Sequence, residues 1–187
     1  KRDVGEPGVG DEVRHEDHLT IPAGETIDDT LIAVGEDITI DGNVTGDLIA
    51  FASRVTVHGN VGGNVIGGAE TVSIDGTVGG SVLGMGRAVD VASPKIGRDL
   101  YATGRDVTVG PQTEVAGNVT RTRIVSADDA VWLVVASTVT PENDLRTAAG
   151  SAPIVVSARQ IGADFLAGLQ KDLGVASPRL LAATDAA

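Results

Sequence analysis

Few residues of this 187-residue chain combine a reactive type with a useful spacing. His15-Glu16-Asp17-His18 puts two imidazoles three positions apart beside two carboxylates, the donor types that zinc or copper takes. No third anchored ligand stands near. Residues 1–18 are polar, with Gly, Pro, Asp and Glu, so a flexible solvated tail is the plainer reading. His58 occupies a corner where Asp41 and Asp75 stand elsewhere and reads as a surface residue. Arg98, Asp99, Arg105 and Asp106 form a local charge group, and alternating charges on a regular face serve solubility. Thr20, Thr39, Thr56, Ser73, Asp90 and Thr108 recur as an outward ladder of the kind with which some β-rich proteins meet ice. Its neighbour, Asp37, Arg54, Thr71, Ala88 and Asp106, is charged and irregular. β-branched residues on a strand surface are the simpler account.

These residues are spaced by a repeat that runs from Ile27 to Val119. Every seventeenth residue is apolar, through Ile27, Val44, Val61 and Val78, then Ile96 and Val115 after slips of one and two. The first five are followed by apolar residues four, eleven and thirteen positions on, as in Val44/Leu48/Val55/Val57 and Val61/Val65/Val72/Ile74. Alternation such as Val55-Thr56-Val57 has the period of a strand. Between strands lie corners such as Asp41-Gly42-Asn43 and Asp75-Gly76, whose residues are expected to supply positive φ. Pro94 and Pro111 fall at the slips, which places the insertions at corners. One seventeen-residue unit cannot close its own sheet. Each buried Val or Ile contributes about 1.5–3 kcal/mol, whereas each ordered backbone residue costs about 1–2 kcal/mol. Stability must come from stacked neighbours. The expected fold is all-β: a right-handed parallel β-helix of about seventeen residues per coil and five or six coils.

The same spacing excludes several functions. Calcium-binding nonapeptide solenoids need Gly-Gly-x-Gly-x-Asp at period nine, which Gly62-Gly63 and Gly67-Gly68 do not supply. Hexapeptide acyltransferases need an apolar residue at every sixth position. Polysaccharide-cleaving β-helices need acids and bases clustered on long loops, and the corners here are short. No nucleophile sits with a base, and no Gly-rich phosphate loop precedes a helix. The expectation is a protein that is not an enzyme, with no catalytic, cofactor-binding or metal residues.

Aromatics make up 2% of the chain and Gly 25 of its residues, as suits a thin interior of small and β-branched side chains. The net charge of −12 argues against nucleic acid or an anionic membrane as partner. The longest apolar run, 130–136, is too short to span a bilayer. The chain starts without Met, which fits either removal of a targeting segment or a truncated piece.

In order, the expected parts are a tail over 1–18, a β-helix over 19–125 and a C-terminal extension over 126–187. Pro22-Ala23-Gly24 makes a corner after a first partial coil at Leu19. In the extension, 130–136 reads as a strand or docking segment with the only Trp, and 141–153 as a linker. Residues 158–173 read as a helix with Ile161, Phe165, Leu166, Leu169 and Leu173 on one face, and 175–187 as loose chain that Leu180-Leu181 could anchor.

The runs Ile21-Pro22-Ala23-Gly24-Glu25-Thr26-Ile27, Ile40-Asp41-Gly42-Asn43-Val44-Thr45-Gly46-Asp47-Leu48 and Ile74-Asp75-Gly76-Thr77-Val78-Gly79-Gly80 resemble bactofilins, in particular the exported polymer-forming domains of envelope proteins. The likeness covers about residues 19–120. It implies a right-handed β-helix without nucleotide or metal, end-to-end polymerisation and an envelope scaffold. The chain departs from the family after Val119, where some 65 residues follow instead of a short tail.

A solenoid exposes unpaired backbone and an apolar cross-section at each end, and an uncovered edge recruits another chain. The end-coil residues are Leu19, Ile21 and Ile27 on one side, and Val107, Val109, Val115 and Val119 on the other. Either these ends stack head to tail into filaments, or the extension caps one end or docks a partner through Val131, Trp132, Leu133, Val135, Phe165 and Leu169. The expected role is a scaffold or subunit of a cell-envelope complex, with a filament former and a carbohydrate-binding or carbohydrate-active β-helix as alternatives. Partners would be proteins or further copies, reached through coil ends and residues 120–187. The expected site is exported, periplasmic or cell-surface; a cytoplasmic, membrane-associated one is the alternative.

Overall fold

A computed structural model describes residues 11–127, 130–138 and 154–173. The repeat winds into a β-solenoid of about seven turns with a spacing near seventeen residues. Its first turn holds β1 (Glu12–His15), β2 (His18–Ile21) and β3 (Thr26–Ile27). The second holds β4 (Leu31–Val34), β5 (Asp37–Ile40) and β6 (Asn43–Val44). In later turns the first two strands fuse: β7 (Leu48–Val57) with β8 (Asn60–Val61), then β9 (Val65–Ile74) and β10 (Val82–Val91). They separate again as β11 (Leu100–Gly104) and β12 (Asp106–Val109), and β13 (Val119–Ala127) opens the last turn. Beyond it come β14 (Ala130–Thr138), β15 (Ile154–Gln160) and α1 (Ala163–Leu173).

Three walls follow. The first stacks β1-β4-β7-β9-β10-β11-β13 in parallel; the second runs from β2 through β5 and the far halves of β7, β9 and β10 to β12. The third is β3-β6-β8, carried on by single bridges at Val78, Ile96 and Val115. Register is strict: Leu48 lies against Val65, and Val65 against Val82. All twenty apolar positions named by offsets zero, four, eleven and thirteen point inward; every one is buried except Val109, which packs partly buried against the core. Stacking puts like on like, so one inward set serves every turn and the interior needs no aromatic residue.

The corners correct one expectation. Among the described residues positive φ occurs at Gly24 and, outside glycine, at Asp29. Gly24 does close the Pro22 turn, where the Glu25 amide donates to Pro22 O at 3.0 Å. The glycines of the column Gly42, Gly59 and Gly76 are needed for a different reason. A Cβ at Gly59 would strike the backbone carbonyl of Gly42, and one at Gly76 that of Gly59. Ser93 continues the column fully buried, its hydroxyl donating to Gly76 O at 2.6 Å. A second corner is tied by side chains. Asp47 Oδ1 accepts the Asn64 amide at 2.6 Å, Asn64 Oδ1 the Ser81 amide at 2.9 Å, and Asp99 Oδ1 the Asn118 amide at 2.8 Å.

Three boundaries also differ. The tail expected over 1–18 is strand from Glu12, paired with Leu31–Val34, so the solenoid starts before Leu19 and gains a turn over the expected five or six. The parallel stack ends in β13, after which β14 and β15 pair antiparallel. Residues 158–160 are strand, paired with Trp132–Val134, and the helix begins only at Ala163. Residues 1–10, the linker 141–153 and Leu180-Leu181 lie outside the described residues.

Candidate functional site

The first-turn residues Leu19, Ile21 and Ile27 are 2%, 0% and 3% exposed, so no bare apolar cross-section stands there. Register puts Glu12 against Leu31 and Arg14 against Ala33, so both take inward-facing columns. Arg14 Nε pairs with Glu12 Oε1 at 2.6 Å, and its Nη2 with Glu25 Oε1 at 3.4 Å. Glu25 precedes β3 on another wall, so the side chain reaches across the mouth of the turn. Burial works against the Arg14 charge, but Glu12 and then Glu25 outweigh it and hold its pKa above the ordinary value.

At the other end Val107 is buried, while Val109, Val115 and Val119 pack partly buried against the core. Here the column Ala33, Ala50, Gly67, Gly84, Ala102 ends in Arg121. Its Nη2 donates to Val107 O at 2.6 Å, and Arg123 Nε to Arg105 O at 3.1 Å. Val107 O lies on the open edge of the second wall and Arg105 O just before it, and the guanidinium groups take the place of the next strand. On the first wall that place is filled by backbone. Val131, Trp132, Leu133 and Val135 lie in β14 against β13, with Trp132 opposite Val125 and Gln160. Phe165 sits in α1 with the Arg159 guanidinium 5.1 Å from its ring centroid, and Leu169 lies one helical turn on. The outer edge of the sheet is therefore β15, where Ile154, Val155 and Val156 are 65%, 57% and 62% exposed.

A third surface lies outside the expectations drawn from the sequence. On the first wall the outward columns are Val13, Ile32, Ile49, Ile66, Leu83, Tyr101 and His15, Val34, Phe51, Gly68, Met85, Thr103. Val34, Phe51, Met85 and Tyr101 are each about two-fifths exposed, and the intervening isoleucines and Leu83 partly so. The Phe51 ring lies over Gly68, where any side chain would collide with it. Among the described residues, the elements that pack extensively on these strands are their neighbours in the solenoid. Offset five of the same repeat carries this signal in every unit, and offset seven in three of five, with Gly68 and Thr103 the exceptions. Along one rim run Glu36, Ser53, Glu70, Arg87 and Arg105, all exposed. The second wall differs: beside the Thr ladder, Asp37 pairs with Arg54 at 2.6 Å and His18 at 3.3 Å, so that face is charged.

His58 pairs with Asp75 of the next turn at 2.6 Å. His15 and His18 fall on different strands, and the described residues contain no cluster of three metal-ligating side chains. No helix among them is long and apolar enough to cross a membrane. No protein-family model, curated protein or solved structure matches the chain.

Proposed function

We propose that this chain is a non-enzymatic scaffold module, a rod of fixed length that serves as a subunit of a larger assembly. The observation that carries this reading is the pair of arginines ending one interior column. Arg14 and Arg121 both turn inward, reach to another wall, and spend their donors on Glu12 and Glu25 or on Val107 O. A copy stacking end to end would have to displace them and desolvate their charge, which weighs against the head-to-tail filament. Contacts are then left to the sides of the rod and to the β15 edge, whose apolar residues fit strand addition. The likeness of residues 19–120 to bactofilins supports an envelope location, exported, periplasmic or cell-surface.

Negative-stain microscopy with light scattering tests it. The expected particles are discrete and short, roughly 35 Å along the stack for seven turns at about 4.8 Å each. Filaments that lengthen with concentration would sink it.

A further inference from the structure

The apolar wall has a periodicity that restricts what can cover it. Its ridges recur at the strand spacing of about 4.8 Å over five turns. A docked helix repeats every 5.4 Å and would drift about 3 Å out of step over that length. A second solenoid wall stays in step throughout. The wall columns themselves carry no charge between Ile32 and Thr103, in a chain of net charge −12, so two copies approach there with least repulsion. The rim then fixes direction. It is acidic at Glu36 and Glu70 and basic at Arg87 and Arg105. A two-fold axis along the strands at the middle turn reverses this order in the partner, so Glu36 of each rim meets Arg105 of the other, while Glu70 at the middle is neutralised by Arg87 of its own chain at 2.8 Å.

We infer that a second copy of this chain covers this wall, packed face to face with its solenoid axis antiparallel. The inference rests on the scaffold reading above and names the lateral contact that reading leaves open. Five turns of four residues present roughly 300–400 Å², about half of what each partner gives a standard interface. The dimer is accordingly weak and concentration-dependent. Apolar contact supplies attraction, and the rim charges supply orientation.

Sedimentation equilibrium of the full chain, from micromolar to millimolar, tests this. The expected result is a monomer–dimer equilibrium. Phe51→Asp weakens it on the order of a hundredfold by burying an unpaired charge, while Thr56→Asp on the second wall leaves it unchanged. Glu36→Arg weakens dimerisation severalfold, and Arg105→Glu in the same chain restores it. With no native cysteine, Ile66→Cys near the axis forms an oxidised dimer and Thr56→Cys does not. A chain that stays monomeric at millimolar concentration, or dimers indifferent to Phe51→Asp, overturns the inference and leaves the finite rod standing. Flotation of a monomeric chain with neutral lipid vesicles, abolished by Phe51→Asp, overturns it in favour of a membrane occupant. Filaments unaffected by Phe51→Asp would instead overturn the scaffold reading.

Discussion

The two ends of the solenoid meet the same difficulty by different means. At the first turn, one guanidinium is held by two carboxylates, all three groups partly exposed. At the last turn, guanidinium groups bind backbone carbonyls directly, and two antiparallel strands continue the neighbouring wall. The first closure is ionic and local. The second is mostly backbone pairing and draws on the extension. An ion triad on a wet surface yields to salt, whereas a sheet continued by strands does not. The N-terminal end should therefore open first.

The largest effect separates the body from both ends. Leu48→Ala leaves a void in a column buried on both sides and should cost about 2–5 kcal/mol. Gly59→Ala should cost as much or more, because its Cβ meets the Gly42 carbonyl and neither backbone can move without shifting the stack. Urea unfolding followed by far-ultraviolet circular dichroism measures both. A Gly59→Ala protein as stable as the parent would refute close approach as the reason for the corner glycines. Next comes the C-terminal end. Arg121→Ala removes a charged donor from Val107 O and should cost about 1.5–3 kcal/mol. Hydrogen exchange should quicken in β12 and leave β4 unchanged; uniform quickening would mean that the end does not open by itself.

The interior was legible in the sequence because stacking imposes one rule on every turn. Val44, Val61 and Val78 meet through bridges and short strands, so each must be apolar for the same reason. The outer wall obeys the same period at Ile32, Ile49, Ile66 and Leu83. It escaped notice because a strand was expected to alternate apolar with polar, and this one is apolar on both faces. β1 escaped for the opposite cause. Its inward positions are Glu12 and Arg14, and it stands nineteen residues from its partners instead of seventeen. End turns break the rule that identifies a turn, since their inward residues face solvent on one side. The corner glycines are legible as corners but not by cause, because a clash with the preceding turn leaves no local mark to tell it from a need for positive φ. Residues 158–160 carry a helical spacing that pairing with β14 overrides.

Smaller effects isolate the N-terminal closure. Glu25→Gln removes one exposed ion pair and should cost about 0.2–1 kcal/mol, a difference that fades in molar salt. The finest test is Arg14→Lys, which keeps the charge and loses the fork that reaches both acids. Its cost should be about 0.5–1 kcal/mol near neutrality, through loss of one charge-assisted contact. The signature is its pH dependence. A cation whose pKa is raised by its partners stabilises the fold below its unfolded pKa, and that contribution is lost as pH rises through the folded value. For Arg14 that loss lies in strong alkali, beyond practical measurement. A lysine there begins to lose its proton near its ordinary value of about 10.4. Denaturation of the Arg14→Lys protein, compared with the parent from about pH 7 to about pH 11, should show a gap that widens as the amine titrates. A gap independent of pH would mean that the Arg14 contribution is packing of its stem, and that the two ends differ less in kind than their geometry implies.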